Sequence, residues 1–368
     1  MLRLGLLISP IIGLILFRYP SVDIPPLPEV AHIESGSVEN PGPLSQKTGL
    51  QLLWKDSGER TVYRAGRIHK LPEEAADNKL FVPSHANGYL VFERMGKEIQ
   101  HRSPSGELYW KRESSAYPAS SPDGSIILMI TGDANRVDVM DQNGIVDRGS
   151  ILSGSLLVDY SFSRPGEKAL IRSVVLFSDG KYYLLGENGR LLFHSRLDAK
   201  SFARSVALSG DGTSFALHFE KDGTDHLEVF GVSKSDDSIK VDSLFDTELK
   251  KNHPYTIPMA IEARTVVLGS PGETIVLKDG ETSVDREYEP YADRGIHRAM
   301  AFSPSGALVQ EKGTVLILGT EGELLGQFPM DLYNPGRFLT DLSNSNQLIY
   351  HNQQGRLELF QLGSGSVE

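Results

Sequence analysis

Short apolar runs alternate with polar, glycine-rich turns along nearly the whole chain. The unit is an apolar strand, a polar turn and a second apolar strand. Val82-Pro83-Ser84-His85-Ala86-Asn87-Gly88-Tyr89-Leu90-Val91 is the first copy, and Ala119 to Ile127, around Ser121-Pro122-Asp123-Gly124, is the second. Ser161–Gly166 leads to Ala169-Leu170-Ile171, Ala207–Gly212 to Phe215-Ala216-Leu217, and Met259–Arg264 to Val266-Val267-Leu268. Ala301–Gly306 leads to Leu308-Val309, and Thr340–Asn346 to Leu348-Ile349-Tyr350. Within the runs apolar and polar positions alternate with the strand period of two. No long stretch carries the 3.6-residue period of an amphipathic helix, so the pattern predicts an all-β chain.

From Ser84 to Ser343 is 259 residues over six steps, about 43 per unit. A four-stranded propeller blade takes about 40–45 residues. Each copy is followed by a second hairpin, as at Val137–Gly144, Tyr182–Gly189, Thr274–Gly280 and Thr314–Gly322. Their Asn-Gly, Asp-Gly and Glu-Gly pairs supply the positive φ of tight hairpin turns. The seventh unit ends after its third strand, Leu357–Leu362. The pattern assigns residues 50–55, Leu-Gln-Leu-Leu-Trp-Lys, as its missing outer strand, which removes an exposed edge. Asp56–Leu71 is then an extra strand or strap leading into the first unit. The expected fold is a seven-bladed β-propeller over residues 49–362, closed by an N-terminal strand, with a flexible tail at 363–368.

The Ser-Pro-Asp-Gly turn at Ser121–Gly124 and the Ala-Phe-Ser-Pro-Ser-Gly run at Ala301–Gly306 resemble the WD40-like and TolB-like repeats of the β-propeller superfamily. The outer hairpins are similar to quinoprotein-type repeats, in which tryptophan follows a glycine by four places. Gly106-Glu107-Leu108-Tyr109-Trp110 fits, and Gly189-Arg190-Leu191-Leu192-Phe193 fits with phenylalanine; Gly144 and Gly322 keep the turn without the aromatic. The resemblance implies an architecture. It implies no function, because enzymes, receptors and scaffolds share this fold.

The N-terminus reads differently. Leu4, Leu6, Leu7, Ile8, Ile11, Ile12, Leu14, Ile15, Leu16 and Phe17 fall in an uncharged run between Arg3 and Arg18. Residues 1–19 as a helix reach about 28 Å at ~1.5 Å per residue, against a hydrocarbon core of about 30 Å. No small-x-small cleavage site follows. The reading favours a single uncleaved membrane helix over a cleaved signal peptide, with the rest of the chain extracytoplasmic, periplasmic or at the cell surface. Residues 20–48 are a Pro/Gly-rich tether. Its prolines favour polyproline II, and Ile24-Pro25-Pro26-Leu27-Pro28 reads either as a spacer or as an extended docking peptide for a partner.

The chain has 368 residues, no cysteine and a formal charge of -11. The acidic balance argues against a nucleic-acid partner, which needs a basic face. The missing cysteine removes disulfides, thiolate zinc sites and thiol catalysis. Thirty-six glycines and twenty prolines suit a turn-rich β chain.

Candidate chemistry is thin. The acidic groups of Ser121–Gly124 are explained by the turn. Asp133, Asp138 and Asp141 lack the spacing of a calcium loop. The ten histidines form no local metal pair; His85 and His297 are the two placed to approach a central channel. Lys250–Tyr255 follows the longest insertion, Gly231–Pro254, read as a surface loop or a partner-contact loop. No nucleophile elbow or phosphate loop is present, and the degenerate repeats speak against a quinone cofactor. No catalytic, cofactor-binding or metal residue is assigned. The expectation is a non-enzymatic protein-interaction scaffold, a subunit of a membrane-associated envelope complex with protein partners. The alternative is a periplasmic enzyme or ligand sensor, hydrolase- or lactonase-like, with its site at the channel mouth.

Overall fold

In the computed structural model the described residues are 79–93, 96–164, 168–235, 238–270 and 273–287, together with strands or their flanks at 29–33, 51–56, 59–64, 67–71, 298–303, 306–311, 314–318, 324–329, 337–341, 344–351 and 357–361. They form antiparallel sheets that follow one another along the chain. The first sheet is Lys79–Phe81, Tyr89–Phe92, Glu98–Arg102 and Leu108–Glu113; the second is Tyr117–Ser120, Ile126–Ile130, Arg136–Asp141 and Val146–Ser153. The third is Leu157–Phe162, Ser173–Phe177, Lys181–Leu185 and Leu191–Arg196; the fourth is Ser201–Leu208, Ser214–Lys221, Thr224–Ser235 and Ser238–Glu248. The fifth runs from Met259–Glu262 to Glu281–Glu287, the sixth from Arg298–Ser303 to Leu324–Pro329. Among the described residues the only helical element is the 3-10 turn Glu187–Gly189. None of their helices is long and apolar enough to cross a membrane. The leader at 4–17 and the proline segment 24–28 lie outside the described residues.

The last sheet corrects the assigned closure. Its strands Arg337–Asp341, Asn344–His351 and Leu357–Gln361 take a fourth from Glu29–Ile33, which pairs antiparallel with the third, Glu29 opposite Phe360 and Ile33 opposite Leu357. Residues 50–55 do not close it. Gln51–Asp56 instead pairs with Glu59–Arg64, which pairs with Arg67–Lys70. Only two residues separate the first two of these strands, so the local hairpin carries far less loop-closure entropy than a partner some three hundred residues away. Val62 of this small sheet is fully buried against Tyr89 and Val91, so the sheet packs on the first repeat.

Two further expectations shift. In the third repeat the second strand is Ser173–Phe177, not Ala169–Ile171. Ser173-Val174-Val175-Leu176-Phe177 is buried at every position and rich in β-branched residues, the better strand former. The Gly231–Pro254 insertion is no loop at its start: Thr224–Ser235 and Ser238–Glu248 are the longest strands among the described residues and pair along their length. Their polar residues are the exposed side of an outer hairpin, with burial alternating along Thr224–Val232.

Neighbouring sheets bury their apolar faces against each other. Phe215 and Phe230 stack at 4.8 Å in the largest cluster, with Tyr182, Leu184 and Val174 of the third sheet. Val229, Val266 and Ile257 join the fourth sheet to the fifth, Val139 and Phe177 the second to the third, and Leu90 and Ile127 the first to the second. Polar side chains stitch the innermost strands as well. Asp159 Oδ2 accepts the Val206 N–H at 2.9 Å, and Ser161 Oγ accepts the Leu208 N–H at 3.0 Å. Both contacts advance by two residues on each strand, so these inner strands run in the same direction.

Candidate functional site

Antiparallel order puts the turn between strands one and two, and the turn between strands three and four, at the same end of each sheet. These ends are joined around one face. The His85 N–H donates to the Pro122 carbonyl at 2.8 Å. Arg172 of the third sheet pairs with Asp123 of the second. The Arg164 N–H donates to the Gly210 carbonyl at 3.0 Å, and its guanidinium meets Glu262 of the fifth sheet at 2.5 Å.

The Ser-Pro-Asp-Gly turn is a structural hub on this face. Asp123 Oδ1 accepts from Ser121 Oγ at 2.7 Å and from the hydroxyl and N–H of Ser125. Burial opposes its charge, but the bonds from Ser121 and Ser125 and the nearby Arg172 outweigh it and hold the carboxyl below its usual value. Glu262 is different: burial outweighs Arg164 and raises it. Gly124 needs its positive φ of +74, and a Cβ there would lie 2.7 Å from that of Ala86 in the neighbouring turn.

Between the first two sheets, on the same face, lies a cleft of about 460 Å³. One wall is Ala86, Asn87, His101, Tyr109 and Trp110; the other is Asp123, Gly124, Gln142 and Asn143. A β-bulge builds the aromatic wall. Trp110 faces His101 and Leu108 faces Arg102 across the ladder, leaving Tyr109 as the extra residue. Bulges of this kind re-aim side chains. His101 sits 5.1 Å from the Tyr109 ring and 5.5 Å from Trp110. Trp110 Nε1 crosses to the second sheet and donates to the Gln142 carbonyl at 2.9 Å. Its ring lies over Gly144, where a Cβ would come within 3.0 Å of the indole. Burial pushes the His101 imidazole down from its ordinary value, partly offset by the Gln142 backbone. Tyr109, in the aromatic wall, is 45% exposed.

The chain matches no protein-family model, and no curated protein matches it. Solved structures do. The Dos1 propeller superposes with a TM-score of 0.57 at 11% identity, covering 92% of this chain and 96% of that one. BamB from Moraxella catarrhalis gives 0.52 at 14% identity, over 91% of this chain and 99% of that one. An Hsv2 variant, KlHsv2 with loop 6CD replaced by a Gly-Ser linker, gives 0.53 at 10% identity, over 76% and 95%. The fold is a β-propeller. Its inner strands therefore line the axis, and the cleft sits between two blades on the face of the propeller that carries the tight turns.

The residues singled out from sequence fall as follows. His85 is at a blade junction, its Nδ1 2.8 Å from Ser84 Oγ. His297 lies outside the described residues. Asp133 accepts from Thr131, Asp138 from Arg136, and Asp141 from the N–H groups of Asn143 and Ile145, each within its own turn or strand pair. Among the described residues no three His, Asp or Glu side chains come together as a metal-ligand set. Asn252 and His253, in the segment read as a loop, clasp the fourth blade. Asp225 accepts from the His253 N–H at 2.5 Å and lies 3.0 Å from His218 Nε2, with His218 and Asp225 almost wholly buried. Asn252 bonds the Asp225 N–H and the Gly223 carbonyl.

The cleft itself was missed. Gly106–Trp110 read as a repeat signature, and the signal within it was Tyr109, a second large aromatic beside the repeat's own tryptophan.

Proposed function

We propose that the chain is a membrane-tethered, extracytoplasmic, seven-bladed β-propeller acting as a non-enzymatic protein-interaction scaffold in a larger envelope complex. The observation that carries this reading is the half-exposed aromatic cleft on the turn face. Exposed aromatics next to amide side chains, held by a rigid frame, are the composition of a contact surface. Two charged pairs of that face are drawn into bonds between blades, Arg172 with Asp123 and Arg164 with Glu262. The N-terminal strand Glu29–Ile33, paired with the last repeat, supports a ring closed by the chain's own beginning. The uncharged run before it supports the tether.

The test is the native mass of the protein extracted from its own membranes in mild detergent, with mass spectrometry of what travels with it. A discrete assembly retaining the Leu4–Phe17 leader is expected. A monomer lacking that leader, with nothing bound, overturns the reading.

A further inference from the structure

We propose that the cleft between the first two blades docks an uncharged, proline-rich, extended segment of a partner protein. The proposal rests on the scaffold reading and names what that scaffold recognises.

The cleft is not a by-product of the repeat. The third blade carries the same bulge, with Leu184 opposite Phe193 and Leu185 opposite Leu191. There the extra residue, Leu192, packs into the blade core. The fold therefore does not require an aromatic at this position, and in the fifth blade the same bulge carries Ser283, between Val284 opposite Val276 and Thr282 opposite Leu277. The first blade has Tyr109 instead, half-exposed in the wall of the cleft.

Three features select the occupant. The first is charge. Asp123 is the only ionised group in the lining, and Arg172 already neutralises it. A charged segment would lose hydration here and find no counter-charge. The second is shape. The cleft is a solvent-open gap between two blades, which suits an extended chain laid into it. The third is the pairing of flat rings with donors. A polyproline II segment has no internal hydrogen bonds, so its carbonyls need outside donors, and its pyrrolidine rings pack on aromatic faces. Tyr109 supplies a ring and a hydroxyl. Gln142 and Asn143 supply amides on the opposite wall, Asn143 sharing its amide with Asp141. Such a segment is also pre-ordered and loses little entropy on docking.

The experiment is fluorescence anisotropy of dye-labelled octaproline titrated with the full-length protein. Saturable binding is expected, with little dependence on salt. Tyr109→Ala should weaken it about tenfold or more, since a lost aromatic contact and its buried area exceed about 1.4 kcal/mol. Tyr109→Phe should stay within about threefold of the parent, and Gln142→Ala on the other wall should weaken it independently. Tyr109 and Gln142 are exposed, so little change in thermal midpoint is expected for either alanine variant. Absence of saturable octaproline binding overturns the proposal. So does binding indifferent to both Tyr109→Ala and Gln142→Ala, or a cleft that takes cellotetraose in place of octaproline. The titration needs neither the membrane nor the complex, so its failure is separate from a failure of the native-mass test.

Discussion

Asp159 and Val206 belong to adjacent blades, and the carboxylate of one holds the backbone N–H of the other at 2.9 Å. A second oxygen of Asp159 accepts the Tyr160 N–H. Burial raises the Asp159 carboxyl to about 6, against the pull of these two bonds. Because the folded value lies above the unfolded one, its contribution is fully present at pH below about 4 and is lost as pH rises through about 6. Asp159→Asn removes that dependence. Urea unfolding of both proteins from pH 4 to pH 8 should show the parent losing stability relative to the variant by up to about 3 kcal/mol. A difference flat in pH would contradict this account.

Gly212 has φ +69, and a Cβ placed on it would lie 2.2 Å from the Ile171 carbonyl oxygen in the preceding blade. That oxygen is backbone and cannot swing aside. Gly212→Ala should therefore destabilise by about 2–4 kcal/mol, combining the left-handed penalty with the forced separation of two blades. Gly223, also at positive φ with open space around it, is the control: alanine there should lose about 1 kcal/mol. Chemical denaturation of the two variants separates crowding from backbone strain.

Asp225→Ala strips the buried partner from His218 and from the His253 N–H. The expected loss is about 3 kcal/mol or more, the scale for orphaned buried polar groups. Burial opposes the Asp225 charge, but the bonds from His218 and the His253 backbone lower its carboxyl overall. This contribution is thus present above the unfolded value and lost as pH falls through the depressed one, opposite in sign to Asp159. Acid unfolding should begin at higher pH in the variant. A stability gap between parent and variant that stays constant as pH falls would show that the clasp carries no such linkage.

Phe215 is fully buried, stacked on Phe230 and tilted against Tyr182. Phe215→Ala should cost about 3–5 kcal/mol, with Phe215→Leu losing much less. Calorimetric midpoints of the pair measure the cavity left at the junction of the third and fourth blades.

Much of the fold was legible because its unit is local. Turn residues such as Asp123-Gly124 and Asp211-Gly212 sit between apolar runs a few residues apart, and strand alternation marks which side is buried. Closure was misread because it joins the two ends of the chain. Neither Gln51–Asp56 nor Glu29–Ile33 alternates cleanly, the second was read as part of the proline-rich tether, and the first has a hairpin partner two residues away. The cleft was half-visible. Trp110 announced itself through the repeat, but pairing Tyr109 with Gln142 depends on a bulge in the ladder and on how two blades meet. Spacing along the chain does not encode either.

Pairing the beginning of the chain with its end also sets a timetable. Glu29–Ile33 is made among the first segments, and its partner Leu357–Gln361 among the last. At about 5–20 residues per second, synthesis leaves the early strand without its neighbour for tens of seconds. Through that interval the outermost edge of the nascent protein is unmatched, and the molecule depends on whatever shields it. Deleting Glu29–Ile33 would prolong an exposed edge on the last blade indefinitely.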